Sequence, residues 1–217
     1  ALYVPNAADV ERFASAIDAK PAVGKPVAGY YGALARWIDF DLLDEVAVQR
    51  PDWSFVLIGQ PLDRSCEGHP LFTRPNVSFL GPRRYEELPA ILQTFTVAMI
   101  PFAAGAIGRA TSPLKLYEYF AGGKPVVSTP LPECEAFDVV EIARSAAEFA
   151  AALDRARANG TDMAFRARLR EIAREHSWAR RVDVDGRRHA SGAVPAPRAR
   201  ARRGCGRHRA RGRGGKG

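Results

Sequence analysis

The sequence predicts a doubly wound α/β fold, in which helices cover both faces of a parallel sheet. Segments typical of strands alternate with segments typical of helices along most of the chain. One strand segment, Trp53 to Gly59 (WSFVLIG), is apolar at almost every position, as expected for a strand buried on both faces. With 217 residues, of which 47% are hydrophobic, the chain is long enough to bury one sizeable core.

Six segments have the composition of strands. They are rich in apolar residues and are bounded by Gly, Pro or polar residues. In chain order they are Val27 to Ala33, Trp53 to Gly59, Asn76 to Leu80, Val97 to Phe102, Pro125 to Thr129 and Val139 to Ile142.

Five further segments show the spacing of amphipathic helices. They are Asp39 to Arg50, Tyr85 to Thr94, Ser112 to Ala121, Ser145 to Ala158 and Thr161 to His176. In the third, Ser112 is predicted as the N-cap and Pro113 as the first helical residue. In the fourth, Ser145 and Glu148 form a capping box.

Ligands of doubly wound folds bind beyond the carboxyl ends of the strands. Three loops fall there, Gly59 to Leu62, Gly81 to Arg84 and Ala103 to Thr111, and we expect them to meet in one crevice. The last of these (AAGAIGRAT) is small and leads into a helix. Because a helix N-terminus offers free N–H groups and partial positive charge, this loop is a natural place for a phosphate.

Several residues near this helix have the chemistry of nucleotide ligands. Lys115 and Arg109 are both candidates to neutralise a diphosphate, and Glu118 is placed to accept hydrogen bonds from a ribose diol. Gly32, at the end of the first strand, would let a phosphate or sugar approach the backbone. The alternative for each is structural, namely solvated charges for the first three and a turn glycine for Gly32.

The residues KLYEYFAGGKPVVST, with the preceding strand VAMIPF, resemble the nucleotide-sugar-binding half of bacterial GT-B glycosyltransferases of polysaccharide and glycolipid assembly. The resemblance runs from about Leu2 to Arg181 and implies a Rossmann-like sheet, one half of the GT-B architecture. It implies that Gly81 and Arg83 lie where the base is held. The predicted nucleotide-sugar ligands are Glu118, Lys115, Arg109, Ser112, Thr111, Gly32, Gly81 and Arg83.

Many retaining enzymes of this kind have two glutamates with seven residues between them, the first contacting the donor sugar and the second the ribose. Glu118 matches the second position. Ala110 stands where the first is expected. The resemblance therefore predicts a nucleotide site, but neither the transferred sugar nor retention or inversion.

The resemblance also divides the chain. Residues 1–26, which include LYVPNAADVERF, are similar to a GT-B interdomain connector, and residues 27–181 to the nucleotide-sugar-binding domain. The N-terminal domain, which in this family binds the acceptor and usually supplies the catalytic base, is expected to be missing. No catalytic residue is therefore assigned, and no turnover is expected from this chain alone.

Residues 182–217 are predicted to be a disordered Arg- and Gly-rich tail. Residues 187–217 contain 11 Lys and Arg and no acid, which leaves 21 basic and 24 acidic residues, a net charge of −3, in residues 1–186. The tail is open to three interpretations: a segment that binds RNA or anionic lipid, a solvated terminus, or the product of a shifted reading frame. We favour the shifted frame as a hypothesis, and we expect no nucleic-acid binding by the folded domain.

The composition argues against a disulfide-stabilised, a metal-binding and a membrane-spanning protein. Cys66, Cys134 and Cys205 lack paired spacing, and the four histidines are not spaced with carboxylates, so neither a disulfide framework nor a metal site is predicted. No apolar run approaches the roughly 20 residues of a membrane span. We expect a cytoplasmic protein, with peripheral association at the inner face of the membrane.

These observations predict the donor-binding half of a glycosyltransferase that uses a UDP- or GDP-sugar as substrate, without a further cofactor. A glycan or lipid-linked glycan is the expected acceptor. Two alternatives stay open. One is a nucleotide-sugar epimerase of the same architecture, and the other is a nonenzymatic protein that binds polyanions through its arginine-rich tail.

Overall fold

Six short strands form one parallel sheet in the computed structural model, which describes residues 9–14, 24–105 and 113–177. The strand order is β3-β2-β1-β4-β5-β6, so the direction of winding reverses between β1 and β4. The strands are β1 (Val27–Tyr31), β2 (Ser54–Ile58), β3 (Val77–Phe79), β4 (Val97–Ile100), β5 (Val126–Ser128) and β6 (Val140–Ile142). This topology confirms the predicted doubly wound, Rossmann-like sheet.

Seven α-helices of the described residues cover the sheet in two packing groups. In one group α2 packs against α6, and in the other α4 packs against α1 and α7. The helices are α1 (Val10–Ala14), α2 (Phe40–Gln49), α3 (Leu88–Thr94), α4 (Leu114–Ala121), α5 (Pro132–Glu135), α6 (Ala146–Thr161) and α7 (Met163–Glu175). Short 3₁₀ turns lie at Arg64–Cys66, Pro70–Thr73 and Tyr85–Glu87.

Polar residues cap the helices where the sequence predicted helix starts. The Asp39 carboxylate accepts a hydrogen bond from the Leu42 N–H at 2.9 Å at the start of α2. The Ser145 hydroxyl accepts one from the Glu148 N–H at 3.2 Å, and the Glu148 carboxylate accepts the Arg144 N–H at 2.8 Å. These caps satisfy N–H groups that have no partner inside the helix.

Several boundaries differ from the prediction. β1 ends at Tyr31 because Gly32 adopts a φ of 141°, and β4 ends at Ile100, before Pro101. Helix α6 continues to Thr161, and α7 starts at Met163. The short helices α1 and α5 were not predicted.

The start of α4 needs a correction. Pro113 occupies the N-cap position and Leu114 is the first helical residue, so the assignment of Ser112 as N-cap is one position too early. Ser112 itself lies outside the described residues, as do most of residues 1–26, predicted to be a connector, and all of the arginine-rich residues 182–217. Within the described part of the chain, no helix is both long and apolar enough to cross a membrane.

The centre of the sheet is tightly packed at Gly29, which lies between Val56 of β2 and Ala98 of β4. A Cβ added at Gly29 would lie 2.3 Å from ring carbons of the buried Phe95. We therefore expect Gly29→Ala to lower the free energy of unfolding by about 1–3 kcal/mol, measured by urea denaturation. In the control Gly105→Ala, the added Cβ meets no described atom within 4 Å, and a change within about 0.5 kcal/mol is expected.

Candidate functional site

Lys115 crosses directly over Gly32 at the carboxyl end of β1. A Cβ built on Gly32 would lie 1.9 Å from Cε and 2.7 Å from Nζ of Lys115, so a side chain at this position would displace the end of the lysine from its place over β1. The Nζ atom also lies 5.7 Å from the centroid of the Tyr30 ring. The structure thus brings together two predicted site residues that are far apart in sequence.

Two further glycines, Gly59 after β2 and Gly81 after β3, extend the row of side-chain-free backbone that begins at Gly32. A Cβ on Gly59 would lie 1.8 Å from the carbonyl oxygen of Gly32, and the Gly59 N–H donates to the Gly81 carbonyl at 3.0 Å. The ends of β1, β2 and β3 therefore approach each other through backbone alone. Such a surface allows a ligand to come close to the main chain.

A pocket of about 290 Å³ opens beside these glycines. Gly32, Gly59, Gln60 and Arg83 are among the residues that line it, with Arg83 exposed at the surface. The loops that follow β2 and β3 therefore meet, as predicted from the sequence. Of the third loop, only 103–105 is described, and the Ala103 N–H donates to the Trp37 carbonyl at 2.7 Å.

Glu118 lies one turn after Lys115 on α4 and is only 2% exposed. The hydroxyl of Tyr85 donates a hydrogen bond to its Oε1 atom at 3.1 Å. A buried carboxylate needs such donors, because burial without them is costly. In this structure the acceptor oxygen that the sequence assigned to a ribose diol is therefore occupied by a tyrosine.

The two charges on α4 affect each other. Burial raises the pKa of Glu118, while the hydroxyls of Tyr31 and Tyr85 and the charge of Lys115 lower it to a smaller extent. Burial lowers the pKa of Lys115, and the carboxylate of Glu118 opposes that change. Each side chain is thus held in an environment where its charge is costly and its neighbour offsets part of the cost.

Tyr85 is itself held from outside by α1. The rings of Phe13 and Tyr85 meet edge to face with centroids 5.8 Å apart, and the Arg12 guanidinium lies 5.5 Å from the Tyr85 centroid. None of these three residues was predicted from the sequence as part of the site. Their contacts join segments that are far apart in the chain, and no local motif marks them.

The structure does not place every predicted ligand. Arg109, Thr111 and Ser112 lie outside the described residues. Lys115 lies over Gly32, and Glu118 follows one turn later on α4. Arg83 lines the same pocket as Gly32, and the Gly81 carbonyl accepts the N–H of Gly59. Arg36, a further basic residue after β1, donates its backbone N–H to Asp63 at 3.0 Å.

A parallel sheet with this strand order and a glycine-lined crevice at its carboxyl edge is the architecture of the Rossmann-like α/β domains. A model of the family described as glycosyl transferases group 1 matches residues 25–159, and the chain belongs to this family. The match confirms the family recognised from the sequence. It gives no support to the epimerase alternative.

Known proteins with similar sequences or folds agree with this assignment. The chain is 30% identical over 159 residues to TuaH of Bacillus subtilis (strain 168), a protein named for a glycosyltransferase role in teichuronic acid biosynthesis; the match covers 70% of this chain and 40% of TuaH. The chain therefore spans about 40% of the length of that curated relative.

Solved structures share the fold. Anabaena HepE, crystallised with UDP and glucose, is 20% identical with a TM-score of 0.64, over 86% of this chain and 55% of HepE. Sucrose-phosphate synthase from Thermosynechococcus elongatus is 20% identical with a TM-score of 0.67, over 86% of this chain and 51% of the synthase. At this identity the likeness establishes the fold.

The raised pKa of Glu118 gives a test of its burial. Because its pKa is higher in the folded state than in the unfolded state, protonated Glu118 stabilises the fold, and that stabilisation is lost as the pH rises through the folded pKa. Glutamine mimics the protonated form at every pH. We expect the difference in unfolding free energy to shift in favour of Glu118→Gln as the pH is raised from about 4 towards 8.

Urea denaturation of both proteins across this pH range measures the difference. Glu45→Gln removes one exposed carboxylate from α2 and serves as the control. A difference between wild type and Glu118→Gln that is constant with pH, or that shifts in favour of the wild type, would contradict the burial of an ionisable Glu118.

Proposed function

We propose that this chain is the donor-binding half of a GT-B glycosyltransferase that transfers a sugar from a UDP- or GDP-sugar during polysaccharide or glycolipid assembly. The observation that carries the proposal is the contact of Lys115 with Gly32, with Glu118 one turn further along the same helix. This arrangement puts a cation beside bare backbone at the carboxyl edge of the sheet, with a buried carboxylate one turn further along the same helix. These are the groups needed to hold a diphosphate and a ribose.

Family membership and the relatives support the same function. HepE was crystallised with UDP and glucose, and TuaH is named for teichuronic acid biosynthesis. Both names describe proteins that handle sugars. We extend this role to the present chain as a proposal, because the chain spans only part of each relative.

In the proposed mechanism, Lys115 stabilises the negative charge that develops on the leaving diphosphate. A half-buried cation acts strongly there because little water screens it. Arg109, Thr111 and Ser112 are proposed to add a guanidinium, hydroxyls and backbone N–H groups at the start of α4. Gly81 and Arg83 are proposed to hold the base across the pocket.

Glu118 is proposed to fix the ribose, and this requires an exchange of partners. In the structure, Oε1 of Glu118 accepts from the Tyr85 hydroxyl. We propose that the ribose diol replaces this hydroxyl when the nucleotide binds. Tyr85 is 40% exposed, and we propose that it turns towards the solvent in this exchange and gives up its contacts with Phe13 and Arg12.

We also propose an acceptor, a domain that binds it and a cellular location. The acceptor is a glycan or a lipid-linked glycan, bound by an N-terminal domain that supplies the catalytic base. The protein acts in the cytoplasm, at the inner face of the membrane. The free thiols of Cys66 and Cys134 agree with a reducing compartment.

Calorimetry with UDP and with GDP tests the two central residues. We expect Lys115→Met to weaken binding of the preferred diphosphate by about tenfold or more, because a charge-assisted contact is lost, and to leave binding of the nucleoside nearly unchanged. We expect Glu118→Gln to weaken binding of both the diphosphate and the nucleoside. The variant should also discriminate less between uridine or guanosine and the corresponding 2′,3′-dideoxynucleoside. Lys25→Met, which removes a lysine bonded to the Pro51 carbonyl, is the matched control.

Two results would refute this site. One is equal diphosphate affinity in wild type, Lys115→Met and Glu118→Gln. The other is nucleotide binding that disappears when residues 187–217 are deleted and that depends steeply on salt, which would favour polyanion binding by the tail instead.

Tyr85→Phe tests the exchange of partners. The variant keeps the ring but leaves Oε1 of Glu118 without its donor, so we expect a loss of about 1 kcal/mol in unfolding free energy. A bound ribose would satisfy that oxygen, and we expect nucleotide affinity to rise by roughly fivefold. Tyr119→Phe removes a buried hydroxyl that accepts from the Tyr31 N–H, and this control should lose stability without the gain in affinity. Weaker nucleotide binding in Tyr85→Phe would contradict the exchange.

A further inference from the structure

A second concavity lies at the opposite edge of the sheet, at the amino ends of β1, β4 and β5. Its lining includes Gly24 and Pro26 before β1, Thr96 before β4, and Lys124 and Pro125 before β5. Its volume is about 430 Å³. The length of the strands separates it from the nucleotide crevice by about 15 Å.

The charged side chains that line this concavity are all basic. They are Lys124, Arg157 near the end of α6, and Arg166 in α7, and no Asp or Glu is among the described residues that line it. Arg170 lies close by, since a Cβ on Gly123 would be 3.0 Å from its Nε and Nη2 atoms. The last turn of α6 is also close, because a Cβ on Gly160 would be 3.0 Å from Cγ of Pro125.

The positive charges around this concavity repel one another. Burial, together with the smaller effect of the positive charges of Arg166 and Arg170, lowers the pKa of Lys124 to about 8. The protein thus holds several cations close together at a cost in free energy. An anion among them would remove part of that cost.

Neutralisation of the negative charge at helix C-termini does not explain all of the basic side chains at this concavity. The C-terminus of a helix carries partial negative charge, and cations there are stabilising. Lys124 has this role, because its Nζ donates to the carbonyls of Gln93 and Phe95 at the end of α3, at 3.0 and 2.8 Å. Among the described residues, by contrast, neither Arg157 nor Arg166 has a carboxylate within salt-bridge distance or a side-chain hydrogen bond to a carbonyl.

We propose that this concavity, lined by Lys124, Arg157 and Arg166, is a binding site for a phosphate group. Two arginines supply the planar, multiple donors that suit phosphate oxygens, and Lys124 supplies a point charge at the floor. The volume is large enough for a phosphate carried on a larger molecule, such as a phospholipid head group. The site does not depend on the nucleotide crevice or on the function proposed for it.

Nuclear magnetic resonance of the full chain tests the proposal at the site itself. Sodium phosphate is titrated while the amide signals of Gly123 and Lys124 are followed, so that phosphate bound elsewhere on the chain does not interfere. We expect these signals to shift and saturate, and Arg166→Gln to weaken the apparent affinity by about tenfold. The matched control is Arg174→Gln, which removes an exposed arginine from the same helix outside the concavity and should bind as wild type does.

Two further arms identify the source of the phosphate and separate the two sites. Vesicles of phosphatidylglycerol and phosphatidylcholine are compared with vesicles of phosphatidylcholine alone. Displacement of phosphate by the anionic vesicles assigns the site to a lipid head group, and its absence assigns it to free or soluble phosphate. Lys115→Met should leave the titration unchanged. Signals of Gly123 and Lys124 that do not move up to about 10 mM phosphate or with anionic vesicles, or equal affinity in Arg166→Gln and wild type, would overturn the proposal.

Discussion

The candidate nucleotide site depends on one steric constraint, the absence of a side chain at Gly32. A single methyl group there would occupy the space of the Lys115 side chain, and Gly59 in turn leaves room for the Gly32 carbonyl. The ends of neighbouring strands therefore come together without side chains between them. The result is a backbone-lined crevice with one cation beside it and one buried carboxylate a helical turn further on.

That buried carboxylate links the site to the outer layer of the domain. Glu118 lies among tyrosines, of which Tyr85 donates to it directly, and Tyr85 is packed against Phe13 of α1. A change in the hydrogen bonding of Glu118 would therefore alter the contacts of α1, which lies in the segment predicted from the sequence to be an interdomain connector. The contact offers a physical route by which occupancy of the site and the position of that segment could depend on each other.

Sequence patterns were sufficient for the parallel sheet, because strands such as β2 and β4 are apolar enough to require burial on both faces. They were also sufficient to place Gly32 and Lys115 at the same edge, since topology alone brings strand ends and helix starts together. They did not predict that Tyr85 would cover Glu118. That contact depends on how the segment after β3 packs on α4, which no local spacing encodes. The N-cap of α4 was misplaced by one residue because Ser112 and Pro113 are both acceptable at a helix start.

The same topology explains why the two edges of the sheet need different chemistry to bind an anion. At the carboxyl edge, helices begin, and their N–H groups and partial positive charge favour phosphate before any side chain contributes. At the amino edge, helices end, and their carbonyls repel an anion. A phosphate site there has to be made by side chains. Lys124 neutralises the negative end of α3, and the arginines are left to bind a ligand. The excess of cations over helix ends at that edge is therefore the feature that distinguishes a binding site from ordinary capping.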